Sequence, residues 1–264
     1  MKKMSNTLTQ KSTKGDSLFY KQNPLKIANN VSIKEELAKV EVVYTAKNTK
    51  LFRYTGSKLR FKSQFQEVHQ KLAQPVKKVG TYIEAFAGTL ASMFHNLALV
   101  QADRYIINDF NGRVINLYQQ IQANPLRLFL QYQTLENEFN RIIPKHLRGN
   151  GRLEKKIDKS DFSHNEAFFY EVRAVFNQTP LNTNNAAMFL FLMNHNYNGL
   201  YGENMKGEFN ISFNWSAKPV NTNIIKMALD KLHCFFTENE IIFENMDAAN
   251  AGVSVHSSRR ISVQ

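Results

Sequence analysis

Residues 82–94 read YIEAFAGTLASMF and residues 106–111 read IINDFN. The first stretch is a short apolar strand, a turn at Gly88 and the start of a helix; the second is another apolar strand that ends in an acid. Working outward, the spacing predicts a strand over 82–86, a helix from about 89 to 100, a strand over 104–108, and a helix over 113–124 that stops before Pro125. This is β-α-β-α order. In a parallel α/β sheet a ligand lies beyond the carboxyl ends of the strands, where the first turn must let the backbone come close. Gly88 suits that turn, and Asp109 stands about 20 residues later, where a carboxylate accepts the hydroxyls of a ribose. There is no GxGxxG and no GxxxxGK[ST], and FAGTLA holds no cation for a pyrophosphate. A dinucleotide or a triphosphate is therefore disfavoured, and S-adenosylmethionine fits better. The plainer alternatives are an ordinary glycine turn and an Asp109 that serves as helix N-cap.

On the amino-terminal side, EVVYTAKNTKLFRYTGSK (41–58) reads as a strand or hairpin that ends in a glycine turn, and RFKSQFQEVHQKLA has helical spacing through Phe61, Phe65, Val68 and Leu72. Residues 1–40 are a basic stretch poor in apolar residues, expected to lack fixed structure. On the other side, from 125 to 236, four segments place apolar residues at three and four spacing, and a basic loop, KHLRGNGRLEKKIDKS, divides the first two. EIIFEN (240–245) is a third strand, and the stretch 248–264 has no pattern that fits a core. The architecture expected is an α/β fold: a cofactor-binding part over 41–124, a helical insertion over 125–236, and a returning strand over 237–247.

The chain of 264 residues, 43% of them apolar, is long enough to bury a substantial core. Its net charge of +12 favours a polyanionic partner, with nucleic acid foremost. Residues 1–50 carry ten Lys against four acids, half of that excess. No run suits a membrane helix or a signal peptide, so a cytoplasmic protein is expected. A single cysteine, Cys234, and seven scattered histidines point to no metal site.

Four segments carry a family resemblance: FRYTGSK (52–58), EAFAGTLASMF (84–94), INDFN (107–111) and NHNYNGLYGENMKGEFNISF (194–213). In this order and spacing the sequence resembles the Dam-type (class alpha) DNA adenine-N6 methyltransferases over roughly residues 50 to 247. The resemblance implies a Rossmann-like sheet that binds S-adenosyl-L-methionine, a target-recognition insertion, and double-stranded DNA as substrate. Tyr54 and Lys58 match the aromatic residue and terminal lysine of an F-x-K-W-x-G-G-K pattern that contacts the cofactor, with Tyr for Trp and Ser57 for a Gly. Phe86 and Gly88 match a P-F-x-G-x-G loop, in which Leu90 replaces the second Gly, and Asp109 matches the ribose-binding acid. Asn198, Gly199, Leu200, Asn204, Gly207, Phe209 and Asn210 match the N-G-L-x-R-x-N-x-x-G-x-F-N signature of the recognition region. Gly202 stands where many members have Arg. Asp247 in NMD matches a short acidic motif and becomes an adenine-side candidate. Arg148 and Arg152, with Lys155 and Lys156, are the phosphate candidates of the basic loop.

Each assignment has a bland counterpart. Lys58 and the basic loop suit solvated charge, Phe86 suits a core aromatic better than a ligand contact, and an Asn-rich loop turns without needing DNA. The family's D-P-P-Y motif has no counterpart, since the sequence contains no Pro-Pro pair, and it ends 17 residues after Asp247. The expectation is an incomplete sheet and a fragment inactive alone, from a Dam-like or restriction-modification system, that needs a complementing C-terminal fragment. Should it act alone, Asn194, Asn196 and Asn198 are the candidate acceptors. The rival expectations are a catalytically silent remnant that binds DNA or cofactor, and a small-molecule or RNA methyltransferase.

Overall fold

A computed structural model of the chain describes residues 44–71, 78–97, 100–143, 162–215 and 220–252. The tail expected over 1–40, the basic loop with Arg148, Arg152, Lys155 and Lys156, and the last residues from 253 lie outside these. Three parallel strands, β1 (Lys78–Glu84), β2 (Gln101–Asn108) and β3 (Glu240–Glu244), pair in the order β1-β2-β3 with Ile83, Ile106 and Ile242 in one register row. A helix α1 (Lys62–Lys71) precedes β1, and α2 (Ala91–Leu97) crosses from β1 to β2. Between β2 and β3 lie α3 (Gly112–Ala123), α4 (Pro125–Ile142), α5 (Ser163–Gln178), α6 (Thr183–His195) and α7 (Thr222–Glu238). The parallel sheet and the mostly helical insertion between its second and third strands are thus as expected, with β1 and β2 each starting earlier than their apolar runs.

Four of these helices start the same way, on an asparagine whose side chain accepts a backbone N–H of the first turn: Asn111 for α3, Asn124 for α4, Asn182 for α6 and Asn221 for α7. This satisfies donors that a helix leaves open, and Pro125 fits the first position of α4 because it has no N–H to lose. The helix N-cap after β2 is therefore Asn111 and not Asp109.

One face of the sheet packs against aromatic residues. Tyr105 meets Phe235 at 5.2 Å between ring centroids, Phe236 meets Phe243 at 5.3 Å, and Phe94 meets Phe235 at 5.4 Å. In the helical part α6 is buried nearly all round, in contact with α3, α4 and α5, as a helix with no polar face must be. Its buried end carries His195, whose Nε2 meets both carboxylate oxygens of the equally buried Glu136 at 3.0 and 3.1 Å. That pairing satisfies polar groups which would otherwise be costly inside the core.

Two expectations need correction, at 44–57 and after β3. Residues 44–57 form turns rather than a strand or hairpin. Asn48 Oδ1 accepts from the Thr45 N–H (2.8 Å) and Thr45 Oγ1 from the Asn48 N–H (3.2 Å), and such local bonds compete with strand pairing. Helix α1 forms, but Phe61 and Val68 of its apolar stripe remain exposed. The stretch after β3 is not wholly outside the core, for Gly252 is buried, donates to Glu244 Oε2 (2.8 Å), and lies so close to Ile83 that a Cβ there would meet its Cδ1 at 2.6 Å.

Candidate ligand clefts at the carboxyl ends of the strands

The carboxyl ends of the three strands are stitched by one buried amide. Asn108 donates to the carbonyls of Ala85 (3.0 Å) and Met246 (3.1 Å) and accepts from the Met246 N–H (3.0 Å). Asn245 adds donations to the carbonyls of Asp109 (2.7 Å) and Phe110 (2.9 Å). The Gly88 turn is therefore held against the ends of β2 and β3. Its N–H donates to Asp109 Oδ2 (2.8 Å), and its carbonyl accepts from the Tyr118 hydroxyl (2.5 Å). Gly88 has φ +43, in the left-handed region that favours glycine.

Leu90, at the position of the second glycine of the resembling loop, also has positive φ, +57, with its side chain fully buried. A left-handed leucine costs roughly 1–2 kcal/mol, and burial of the isobutyl group in the core offsets it. The turn thus follows a glycine-like path without the glycine.

Two clefts open around Asp109, of about 540 and 610 Å³. The smaller is bordered by the Gly88 turn, Phe86, Glu84, Ser57 and Lys58; the larger by Phe110, Arg113, Pro180, Leu181, Tyr201 and Glu203. Tyr54 and Asp109 belong to both and form the wall between them. Asp109 Oδ1 accepts from the Asn111 N–H (2.9 Å), so each carboxylate oxygen holds one backbone donor and keeps capacity for another. Burial, reinforced by the Asp109 carboxylate, pushes the Tyr54 hydroxyl above its ordinary range, and the phenol stays neutral.

Tyr54 is positioned from both sides. Phe52, buried edge-on to Phe189 at 5.5 Å, anchors the segment. The Thr55 N–H donates to the Gly199 carbonyl (2.9 Å), and a Cβ on Gly199 would stand 2.6 Å from Arg53 Cβ. Gly199, with φ +66, is therefore a point of close approach between two distant segments. Ser57 and Thr89 share a hydroxyl hydrogen bond (2.8 Å) that ties this segment to the glycine turn. Lys58 is exposed on the rim, its Nζ 5.7 Å from the Phe61 ring centroid.

Phe86 is 76% exposed and borders the smaller cleft, which overturns its reading as a core aromatic. The carboxyl end of the strand turns it outward, and Phe110 after β2, which borders the larger cleft, is similarly exposed. The recognition signature divides. Asn204 closes its own turn, accepting from the N–H groups of Lys206 (2.9 Å) and Glu208 (3.1 Å), and the Leu200 carbonyl accepts from buried Asn196 (2.7 Å). The Asn194 amide donates to the Leu51 carbonyl (3.2 Å). These groups brace the loop, whereas the side chains of Asn198 and Asn210 are exposed. Asp247 is exposed and caps the short turn Ala248–Asn250 through the Ala249 N–H (2.8 Å); it borders neither cleft.

Sequence reasoning missed two residues. Arg113, the second residue of α3, bonds the Tyr201 hydroxyl, Glu203 and the Gly207 carbonyl and stacks on Phe176 at 4.8 Å, so it fixes the 201–207 loop as the far wall of the larger cleft. Glu84 is a buried acid on the floor of the smaller cleft, where it accepts from Ser92 (3.0 Å) and Tyr82 (3.2 Å). Burial pushes its carboxyl up to about 7. Nothing distinguishes Arg113 in sequence; the one signal that could have found Glu84 is an acid inside an apolar strand. Among the described residues no cluster of acids, histidines and cysteine has a metal-holding arrangement, and no helix is long and apolar enough to cross a membrane.

Comparison with known proteins gives this site its context. The sequence profile of the D12 class N6 adenine-specific DNA methyltransferases matches residues 54–255. Type II methyltransferase M.MjaIII of Methanocaldococcus jannaschii is 27% identical over 206 residues, which cover 74% of this chain and 64% of that protein. The DNA adenine methylase of Serratia marcescens is 32% identical over 138 residues, 52% of this chain and 41% of that protein. The DNA adenine methylase of Escherichia coli K12 is 28% identical over 137 residues, 52% of this chain and 40% of that protein. The chain thus spans between two fifths and just under two thirds of the length of these relatives.

Proposed function

We propose, from the premise that this chain belongs to the D12 class N6 adenine-specific DNA methyltransferase family, that it supplies the cofactor-binding and DNA-recognition part of a site-specific adenine-N6 methyltransferase of the Dam or restriction-modification type. The observation that carries this reading is the wall of Tyr54 and Asp109 between two clefts at the carboxyl ends of β1 and β2.

The residues present fit S-adenosylmethionine. Asp109 keeps two acceptor positions suited to the two ribose hydroxyls. Lys58 and Glu84 border the same smaller cleft, and a cation with an anion in one cleft complements an amino-acid zwitterion. Tyr54 and Phe110 offer aromatic surface to a base in the larger one. The chemistry the bound group supplies is an activated methyl carried on a sulfonium. The task of this chain is to bind, orient and keep water out: the Gly88 turn lets backbone approach closely, Phe86 covers it, and Arg113 holds the 201–207 loop in place. The helices α4 to α7 are assigned to target recognition, with Asn198 and Asn210 as the exposed members of the signature that are free to reach DNA. Asp247 is retained as an adenine-side candidate only if its capping role yields to the substrate.

The test is calorimetric titration of the chain with S-adenosylmethionine. Asp109→Ala removes a charge-assisted acceptor for two hydroxyls and weakens binding by about 1.5–3 kcal/mol; equal affinity in both proteins rejects the assignment. A second reading, binding without methyl transfer, is favoured by the absence of any Pro-Pro pair and hence of D-P-P-Y. Tritiated methyl transfer to unmethylated duplex DNA separates the two: transfer that appears only on adding a polypeptide with D-P-P-Y supports the split enzyme, and no transfer under either condition supports the silent binder.

A further inference from the structure

Between Glu41 and Glu67 the sequence has six cations, Lys47, Lys50, Arg53, Lys58, Arg60 and Lys62, and no acid. Among the described residues none of the six forms an ion pair, whereas Lys71, Lys78, Arg104, Arg141 and Lys226 each have a carboxylate within reach. A merely solvated charged face ordinarily intersperses both signs. Here like charges stand together: Lys50 is half-buried, and its amine is pushed below its ordinary range by that burial and then by Arg53 and Arg60. Lys47, from the turn at 46–49, and Lys62, at the start of α1, flank one groove of about 510 Å³ floored by Tyr44, Leu59 and Phe94. The same segment carries Tyr54 and Lys58 into the candidate ligand clefts.

We propose that Lys47, Lys50, Arg60 and Lys62 form a docking surface for the sugar-phosphate backbone of duplex DNA, alongside the clefts. The inference rests on the reading of the chain as a DNA-modifying protein and adds to it a surface outside both the recognition signature and the basic loop at 145–160. A phosphate set between these side chains replaces mutual repulsion with attraction. Neutralised phosphates release their counterions, so the surface contributes to the salt dependence of binding at roughly 0.9 log units of affinity per log unit of salt for each phosphate.

The experiment measures binding of the full chain to a fluorescent duplex of arbitrary sequence over a range of salt. The combined variant Lys47→Gln, Lys50→Gln, Arg60→Gln and Lys62→Gln is expected to weaken binding at least tenfold at low salt and to flatten the log-log slope by about 2 to 4. Affinity for S-adenosylmethionine is expected to stay within twofold, because none of the four borders either cleft. Lys62→Glu serves as a second variant: an acid at the first position of α1 favours the helix, so its loss of DNA affinity is not a loss of fold. A variant pair that binds S-adenosylmethionine normally yet keeps the parent's DNA slope overturns the surface and leaves the reading of the chain intact. Failure of the unaltered chain to bind duplex DNA overturns both.

Discussion

Replacing Glu84 with Gln tests how the floor of the smaller cleft is built. The side chain ends β1, is only 7% exposed, and makes no ion pair among the described residues. Burial moves its carboxyl from an ordinary 4.5 to about 7, and the hydroxyls of Ser92 and Tyr82 with the Phe86 N–H only partly oppose the shift. A carboxyl with a raised folded-state pKa binds its proton more tightly folded than unfolded. Its contribution to stability is fully present below about 4.5 and is lost as pH rises through about 7. At about 1.4 kcal/mol for each pH unit between 4.5 and about 7, the full loss is roughly 3.5 kcal/mol, most of it falling between pH 5 and pH 8. Urea unfolding at pH 5 and pH 8 of the parent and of Glu84→Gln reads the effect as the difference between the two pH responses, which removes groups common to both. The parent is expected to lose up to about 3 kcal/mol more than the variant over that interval. The same carboxylate, once ionised, favours a cationic ligand, so affinity for S-adenosylmethionine should fall below pH 7 in the parent and hold level in the variant. Parallel stability curves for the two proteins would refute the reasoning, for they would mean that Glu84 is hydrated as well in the fold as outside it.

The backbone requirements give two further tests. Gly199→Ala sets a Cβ 2.6 Å from Arg53 Cβ and 2.9 Å from its carbonyl carbon at φ +66, and should cost about 2–4 kcal/mol of unfolding free energy; a melting temperature within a degree of the parent's would deny the close packing. For Leu90, fully buried at φ +57, both Ala and Gly lose roughly 2–5 kcal/mol of core burial. Gly alone relieves the left-handed strain, so Leu90→Gly should be more stable than Leu90→Ala by about 1 kcal/mol, and the opposite order in urea unfolding counts against a strained turn.

The strands and helices were legible because period and punctuation agreed. The apolar runs YIEAF, YIIN and EIIF have the lengths of buried parallel strands, and Pro125 marks the boundary between α3 and α4, whereas the asparagine caps were not legible and Asp109 stands as the cap candidate in place of Asn111. What the sequence hid depended on partners distant in the chain. Residues 44–57 read as a strand because their local side-chain bonds leave no mark on hydrophobic pattern. Phe86 read as core because an aromatic after an apolar strand usually is; its exposure follows from the direction of a turn set by Asn108 and Tyr118. Arg113 lies 88 and 90 residues from its hydroxyl and carboxylate partners, a separation at which composition carries no information.

The departures from the family pattern bear on whether the clefts are a working site or a relic. Ser57 stands for a glycine, and its hydroxyl bonds Thr89 on the facing turn. Leu90 stands for a glycine, and it keeps a positive φ by sinking its side chain into the core. Gly202 stands for an arginine, and Arg113 from α3 bonds Tyr201, Glu203 and Gly207 on either side of it. Each change has a local contact that holds the backbone path. At Leu90 the core burial of the side chain outweighs the cost of its positive φ, and at Gly199 the close approach to Arg53 leaves no room for a Cβ, so both positions are fixed by packing around the turns they sit in. Leu90 stands two residues after Gly88, and the Gly199 carbonyl accepts the N–H of Thr55 next to Tyr54, so these fixed points hold the two segments that bring Tyr54 and the Gly88 turn to Asp109, which is the preorganisation a ligand site requires.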